Sequence, residues 1–448
     1  MNAPSSGLAH LLQQAEKVQP YQEFGLVDQV IGLTIESRGP KGKIGDLCLI
    51  ETNEFSNAAE DNQYLQAEVV GFKEGKLLLM PLGEMANLSP GCKVFNTGHP
   101  FKVSVGPELL GRVVDGLGKP IDDRFPVSNH TQLITSAAPP HPLKRIGIEE
   151  PITLGVKSID GFMTVGKGQR VGIFAGSGVG KSTTLGMIAR NTEADMSVIA
   201  LIGERGREVQ DFIDNVLGEE GMRRSIVVVA TSEQPALLKI KASLVATTIA
   251  EYFRSQGKNV VLMMDSLTRV AMALREVGLA VGEPPASRGY TPSVFAFMPR
   301  LVERTGTSEH GSITGLYTVL VEGDDFNEPI SDLVRGLLDG HIILSRELAE
   351  HNHFPSVDVL ASVSRLMINI VNADHRNAAG KIRDLMATYK KSEDLINIGA
   401  YVPGSNPKLD LAVKMKEPID ALLKQDVFEN VTLDETVEMV LEINKHLK

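Results

Sequence analysis

The chain has 448 residues, a formal net charge of −11, 42% hydrophobic and 23% charged residues. That length is too great for one hydrophobic core and implies two to three domains. The acidic balance argues against bulk nucleic-acid binding, and two cysteines, Cys48 and Cys92, exclude a disulfide framework or a cysteine zinc site and fit a reducing cytoplasm.

The N-terminus, MNAPSSGLAHLLQQ, lacks the basic start and apolar core of a signal peptide, and no apolar run is long enough to span a bilayer. Residues 5–18 place Leu8, Leu11, Leu12 and Ala15 on one helical stripe, with Ser5 or Ser6 as a cap and Pro20 as a stop. The stripe suits a helix packed on its own domain or a docking helix for a partner. A membrane-surface helix is the weakest reading, because Lys17 is its only fixed positive charge. Residues 24–93 then read as strands: GLVDQVIGLTIES, DLCLIET, LQAEVVGF and KLLLMPLG are β-rich and separated by turn signals. Phe72-Lys73-Glu74-Gly75-Lys76 is expected to be a hairpin turn, and strands at this spacing suggest a small barrel.

From about residue 95 the pattern changes. The apolar runs RVGIFAG, MSVIALIG, SIVVVAT and NVVLMMD alternate with helical stretches, as in a parallel sheet covered on both faces. After about residue 372 the chain reads as helical. The expected domains are a helical tail over 1–22, a β-barrel over 23–94, an α/β nucleotide domain over 95–371 and a helical domain over 372–448.

The stretch FAGSGVGKSTT, residues 174–184, follows a strand and opens a helix. Glycines let backbone N–H groups curl around phosphate oxygens, and the helix dipole adds positive potential there. The phosphate-binding run is Ala175, Gly176, Ser177, Gly178, Val179, Gly180, Lys181, Ser182 and Thr183. Lys181 is placed to reach the β- and γ-phosphates of ATP and Ser182 to ligate Mg²⁺. Ala175 stands where the strict motif has its first glycine. Asp265 ends the strand VVLMMD, where a second metal-binding carboxylate belongs. In LIGERGRE, Glu204 comes first after a strand whose end faces the ligand crevice, which favours it as the group that polarises water; Glu208 is the alternative.

The chain resembles the export ATPases of flagellar and type III secretion systems, relatives of the rotary ATP synthase α and β subunits. The resemblance rests on GRVVDGLGKPID (111–122), AGSGVGKST (175–183), GERGRE (203–208), RGYTPSVFAFMPRLVERTG (288–306), GSITGLYTVLVEGDDFNEPISD (311–332), FPSVDVLASVSR (354–365) and EDLINIGAY (393–401). EDLINIGAY and the HFPSVDVLASVSR context look more like the flagellar branch than the virulence branch. The resemblance implies an N-terminal β-barrel, a RecA-like nucleotide domain and a C-terminal helical domain in a homohexameric ring. It also implies that Glu204 is the catalytic carboxylate with Arg205 beside it, that Arg365 is an arginine finger offered to a neighbour's site, and that Phe354, with Tyr401 as a weaker candidate, packs on adenine.

By the same resemblance the partners are a stator-like regulatory protein at the N-terminal helix, a central stalk protein, chaperone–substrate complexes and export-gate membrane proteins, at the inner face of the cell membrane. The loop GLAVGEPPASRGYTP (278–292) is expected to face the stalk or the substrate. Arg335 is expected to brace the loop around Asp324 and Asp325. A rotary synthase subunit is the first rival, although Lys181, Glu204 and Arg365 together suit a self-sufficient homomeric ring. A Rho-like nucleic-acid motor is the second, and it needs a basic, aromatic-bearing barrel. Residues 24–93 are mixed in charge and offer only Phe24, Phe55, Tyr64 and Phe72 as aromatics, so no nucleic-acid partner is expected.

Overall fold

The computed structural model describes residues 23–52, 64–85, 87–122, 124, 130–321, 323 and 325–447. The tail helix expected over 5–18, together with Phe55 and Asp324, lies outside the described residues. The chain divides into two compact units at Phe101/Lys102.

The first unit is a closed barrel of β1 (Phe24–Ile31), β2 (Thr34–Arg38), β3 (Asp46–Glu51), β4 (Tyr64–Lys73), β5 (Lys76–Pro81) and β6 (Lys93–Pro100), in the order β1-β2-β5-β4-β3-β6. Alternate residues point inward, and Val27, Ile35, Ile50, Val69, Leu79 and Val94 fill the interior. Both cysteines join this core, and burial pushes the Cys48 thiol up to about 12, so it stays protonated and inert. The expected hairpin forms between β4 and β5: Glu74 and Gly75 both take positive φ, 50° and 76°, which matches the twist of the flanking strands. The barrel's last strand runs past residue 94, where the composition changes, to Pro100. The strand pairs with β1 and β3 and so closes the barrel.

In the second unit, β7 (Lys102–Val105) precedes β8 (Val113–Asp115) and pairs with β9 (Thr131–Ile134), and β10 (Pro151–Ile152) pairs with β11 (Val165–Gly166). The main sheet contains β12 (Arg170–Ala175), β13 (Met196–Ile202), β14 (Ser225–Ala230), β15 (Asn259–Asp265), β16 (Gly306–Thr307), β17 (Ser312–Leu320), β18 (Gly340–Leu344) and β19 (Val363–Ser364), with β8 at one edge. Its order is β19-β18-β12-β17-β15-β13-β14-β8, parallel from β18 to β8, with β16 and β19 antiparallel to their partners. Strands β13 and β14 are buried along their whole length, which is why they read as unbroken apolar runs rather than alternating ones. The four expected strands are β12 to β15; β17, between β12 and β15, carries Thr314, Gly315 and Thr318 and so breaks the apolar signal.

Three helices end the chain: Ala373–Asn397, capped by Asn372; Pro407–Leu423, capped by Asn406; and Leu433–Lys445, opened by a Thr432/Glu435 capping box. Their apolar faces (Ile382, Leu385, Met415, Ile419) join the same core as Val171, Ile173 and Leu185 around the sheet. The helical region therefore shares its core with the nucleotide domain. Among the described residues no helix is long and apolar enough to cross a membrane.

Candidate active site

Strand β12 delivers the chain to the loop 176–180, and the helix Lys181–Asn191 carries it away. Gly178 and Gly180 adopt φ of 79° and 88°, a left-handed backbone that side chains rarely tolerate, and this curls the N–H groups inward. Ala175 still belongs to the strand and its side chain is buried, so this position does not require a glycine. Ser177, Gly178 and Ser182 are exposed at the loop's mouth, and Val179 is buried beneath it.

Lys181 meets two carboxylates. Its Nζ donates to Asp265 Oδ1 at 2.5 Å and to Glu204 Oε1 at 3.1 Å. The sheet order explains the meeting: the carboxyl ends of β12, β17, β15 and β13 stand side by side, and they carry the loop, Thr318, Asp265 and Glu204 in turn. Burial works against the Lys181 ammonium, but Asp265 and Glu204 outweigh it and hold its pKa above the usual lysine value. Burial raises Asp265 above the usual carboxylate range, opposed by Lys181 and by the hydroxyl of Thr318, which donates to Oδ1 at 2.7 Å.

The geometry separates the two glutamates. The Glu204 side chain is 16% exposed and faces Lys181. Glu208 is 54% exposed and its nearest cation is Arg205, itself 82% exposed, at 3.9 Å. Arg205 thus flanks Glu204 in sequence but points to solvent from the start of the helix Gly206–Asp211.

Phe354 comes to the loop from far along the chain. A Cβ built on Gly180 would lie 3.6 Å from Phe354 Cδ1, and the ring is otherwise exposed. Two ties hold the Phe354 segment. Ser356 Oγ donates to Val179 O, and Gln425 N donates to Phe354 O at 3.0 Å. Gln425 is buried; its amide accepts from Lys157 N at 2.8 Å and donates to Gly155 O and Glu429 O at 2.9 and 3.0 Å. The far end of the P-loop helix reaches the same segment, since Arg190 donates to Val427 O and Asn191 to Glu429 O.

Other expected residues lie apart. Tyr401 does not show an approach to the loop through its polar contacts: its hydroxyl bonds to Asp410 and its N–H to Leu395 O, both within the helical region. Arg365 follows β19, anchored by its N–H to Asp339 O at 3.0 Å. Its side chain is exposed, with no hydrogen-bond or ion-pair partner among the described residues. With Asp324 outside the described residues, the contacts around the expected Arg335 brace are these. Arg335 pairs with Asp332 at 3.0 Å, three residues back on its own helix, and Asp325 is held by Arg288 at 3.1 Å. Of the expected loop 278–292, residues 278–280 end the helix Leu267–Ala280 and Pro292 opens the helix Pro292–Glu303; between them Glu283 accepts from the Ser293 N–H and hydroxyl, and residues 284–288 are exposed. Sequence reading missed Thr318, Ser356 and Gln425. None carried a signal readable without the fold: Thr318 stands level with Asp265 only once the strand order is known.

Comparison with known proteins accounts for nearly the whole chain. The ATP synthase alpha/beta family matches in its beta-barrel domain over residues 27–98 and in its nucleotide-binding domain over residues 155–364. The T3SS EscN ATPase C-terminal domain matches residues 371–442. A flagellum-specific ATP synthase of Bacillus subtilis is 55% identical over 427 residues, 95% of this chain and 96% of its own. A type 3 secretion system ATPase of Xanthomonas euvesicatoria is 48% identical over 94% of each chain. The assembled ATPase EscN of the enteropathogenic E. coli type III secretion system has a TM-score of 0.87 at 45% identity, covering 94% of this chain and 100% of that one. With its barrel, nucleotide domain and helical C-terminus all matched, the chain belongs to the ATP synthase alpha/beta family, among the flagellum-specific and type III secretion system ATPases.

Proposed function

We propose that this ATPase hydrolyses ATP with Mg²⁺ and thereby energises export of flagellar proteins from the cytoplasm. The observation that carries the reading is Lys181, at the head of the P-loop helix, bound to both Asp265 and Glu204. The phosphates of ATP compete for that ammonium. When Lys181 turns to them, Asp265 and Glu204 are released for two separate tasks. Ser182 and Asp265 are hard oxygen donors, and the Asp265 Oδ2 atom accepts no hydrogen bond from the described residues, so the pair suits Mg²⁺. Bound there, Mg²⁺ supplies charge neutralisation at the β- and γ-phosphates. Glu204 orients and polarises the attacking water, Lys181 holds the transferring oxygens, and the loop N–H groups share their charge.

Arg365, exposed and unpaired among the described residues, is the finger offered across a subunit boundary, where its planar guanidinium matches the spreading phosphoryl charge. That role requires a ring, here a homohexamer; the solved EscN structures are described as assembled, one of them in complex with the central stalk EscO. In this chain the loop 278–292 is the stalk-facing candidate. Phe354, against Gly180, walls the adenine, and the engaged hydroxyl of Tyr401 makes that residue the lesser partner. The N-terminal segment 1–22, expected to be helical from its sequence, docks a stator-like regulator, and chaperone–substrate complexes and export-gate membrane proteins complete the apparatus at the inner membrane face. A non-flagellar secretion ATPase is the second reading, favoured by the 48% identity to the Xanthomonas protein.

The test is Glu204→Gln, which keeps shape and hydrogen bonding but loses the carboxylate. ATP binding should persist and turnover should fall by roughly 10²–10⁴. Normal turnover in Glu204→Gln with a dead Glu208→Gln would transfer the role to Glu208.

A further inference from the structure

The carboxylate of Asp265 is buried at the end of β15. Strand β17 runs between β15 and the P-loop strand β12, and Met264 pairs with Tyr317, so Thr318 stands level with Asp265. Thr318 is fully buried. Its hydroxyl has one proton and two acceptors in range, Asp265 Oδ1 at 2.7 Å and Met264 O at 3.4 Å. The short contact takes the proton. An ordinary strand threonine can satisfy its hydroxyl on a backbone carbonyl alone; here the carbonyl is the distant partner.

Lys181 and Thr318 both donate to Oδ1, and no donor among the described residues reaches Oδ2. The two donors differ in what holds them. Lys181 is at the end of a long, flexible side chain and belongs to the phosphates once ATP is bound. Thr318 is β-branched, stiff at χ1, and fixed in the middle layer of the sheet. When Lys181 leaves, Thr318 is the donor that remains.

Resting on the metal role assigned to Asp265 above, we propose that Thr318 is a positioning residue for the metal site: its hydroxyl pins Oδ1, fixes the plane of the carboxylate, and leaves Oδ2 as the oxygen presented to Mg²⁺ or its water. Without it, a buried carboxylate that has released Lys181 keeps no donor among the described residues and turns freely about its last bond. Fully buried, Thr318 acts only through Asp265.

The experiment is a Mg²⁺ titration of the binding of a fluorescent ATP analogue to the full chain. Thr318→Val removes the hydroxyl and keeps the shape; Thr318→Ser keeps the hydroxyl. Thr318→Val should raise the half-saturating Mg²⁺ about ten- to a hundred-fold, the range found when an orienting hydrogen bond to a metal ligand is lost. Binding measured in excess EDTA should not change, and Thr318→Ser should bring the Mg²⁺ requirement back toward the wild type. Should Thr318→Val not fold, Thr318→Ala carries the same comparison. A Mg²⁺ dependence unchanged in the valine or alanine variant, or shifted equally in the serine variant, overturns the proposal. Asp265→Asn separates the two layers of the argument. If it shifts the Mg²⁺ requirement and Thr318→Val does not, only the role of Thr318 falls; if Asp265→Asn leaves the requirement unchanged, the metal reading falls with it.

Discussion

The two ends of the nucleotide site are built differently. The phosphate end stands on adjacent strand ends of one buried sheet: the loop after β12, Asp265 on β15 and Glu204 after β13. The proposed base end is assembled from loops and a helical region more than 170 residues from the P-loop, tied by Ser356 to Val179 and by Gln425 to Phe354. A rigid sheet suits groups that must meet a transition state at fixed distances. A base needs only a wall to lie against, and loops supply that. Substitutions at the phosphate end should therefore remove chemistry, and those at the base end should remove affinity.

Arg365 gives the largest expected effect and tests whether the phosphate end is complete within one chain. Arg365→Ala should lower turnover by about 10³–10⁵ with ATP binding retained, and Arg365→Lys should rescue little, because an ammonium lacks the planar fork. Mixing Arg365→Ala with Glu204→Gln subunits should restore activity at interfaces that pair an intact Glu204 with an intact Arg365. Confirmed mixed rings without activity, together with a wild-type specific activity that is flat down to the monomer, would place Arg365 in its own subunit's site or outside catalysis.

Lys181→Ala comes next, with an expected loss of about 10²–10³ in turnover and weakened ATP binding. It also leaves Asp265 and Glu204 facing each other without their shared cation. The pKa of Asp265 is already raised by burial and should rise further. A carboxyl whose folded pKa is raised favours the fold at low pH and loses that contribution as pH rises through it. The melting temperature of Lys181→Ala should thus fall short of the wild type at neutral pH and approach it on acidification. A deficit independent of pH would mean that the two carboxylates do not depend on Lys181.

How much of this was readable in advance follows from the same contrast. Lys181, Asp265 and Glu204 each sit within a few residues of an apolar strand, so the run of the sequence placed them at strand ends before any tertiary contact was known. Strand β17 was not readable, because a buried middle strand carrying Thr314, Gly315 and Thr318 has no unbroken apolar signal. Thr318 went unseen with it. The base end had no local signal: Ser356 and Gln425 are ordinary polar residues whose roles exist only after Val179 and Phe354 arrive beside them. Phe354 itself came from family resemblance, and Tyr401, proposed on the same ground, has its hydroxyl engaged by Asp410. Position on the base end was legible only where a motif marked it.

Phe354→Ala probes the wall directly. Loss of an aromatic platform for a base costs about 1–3 kcal/mol, so the KM for ATP should rise roughly 5- to 150-fold. The kcat at saturating ATP should stay near the wild type. A fall in kcat with KM unchanged would erase the distinction between the two ends of the site and make Phe354 part of the catalytic geometry.

Gln425→Ala should have the smallest effect and the most specific one. The substitution keeps the backbone bond from residue 425 to Phe354 O but removes the amide that fixes residue 425 between Gly155, Lys157 and Glu429. Each lost bond of this kind is worth about 1 kcal/mol, and the buried Lys157 N–H is left without its acceptor, so the protein should melt at a lower temperature. Stability alone does not identify a positioning role. The chain contains no tryptophan, so Phe354→Trp introduces one indole with no background emission. Placed against Gly180, that indole should be partly shielded from an aqueous quencher and respond to added ATP. Combining Phe354→Trp with Gln425→Ala should make the indole more open to quenching and raise the KM for ATP severalfold, while kcat changes little. A lower melting temperature with unchanged quenching and unchanged KM would reduce the Gln425 side chain to a packing role, with Ser356 and the retained backbone bond sufficient to hold Phe354 to the loop.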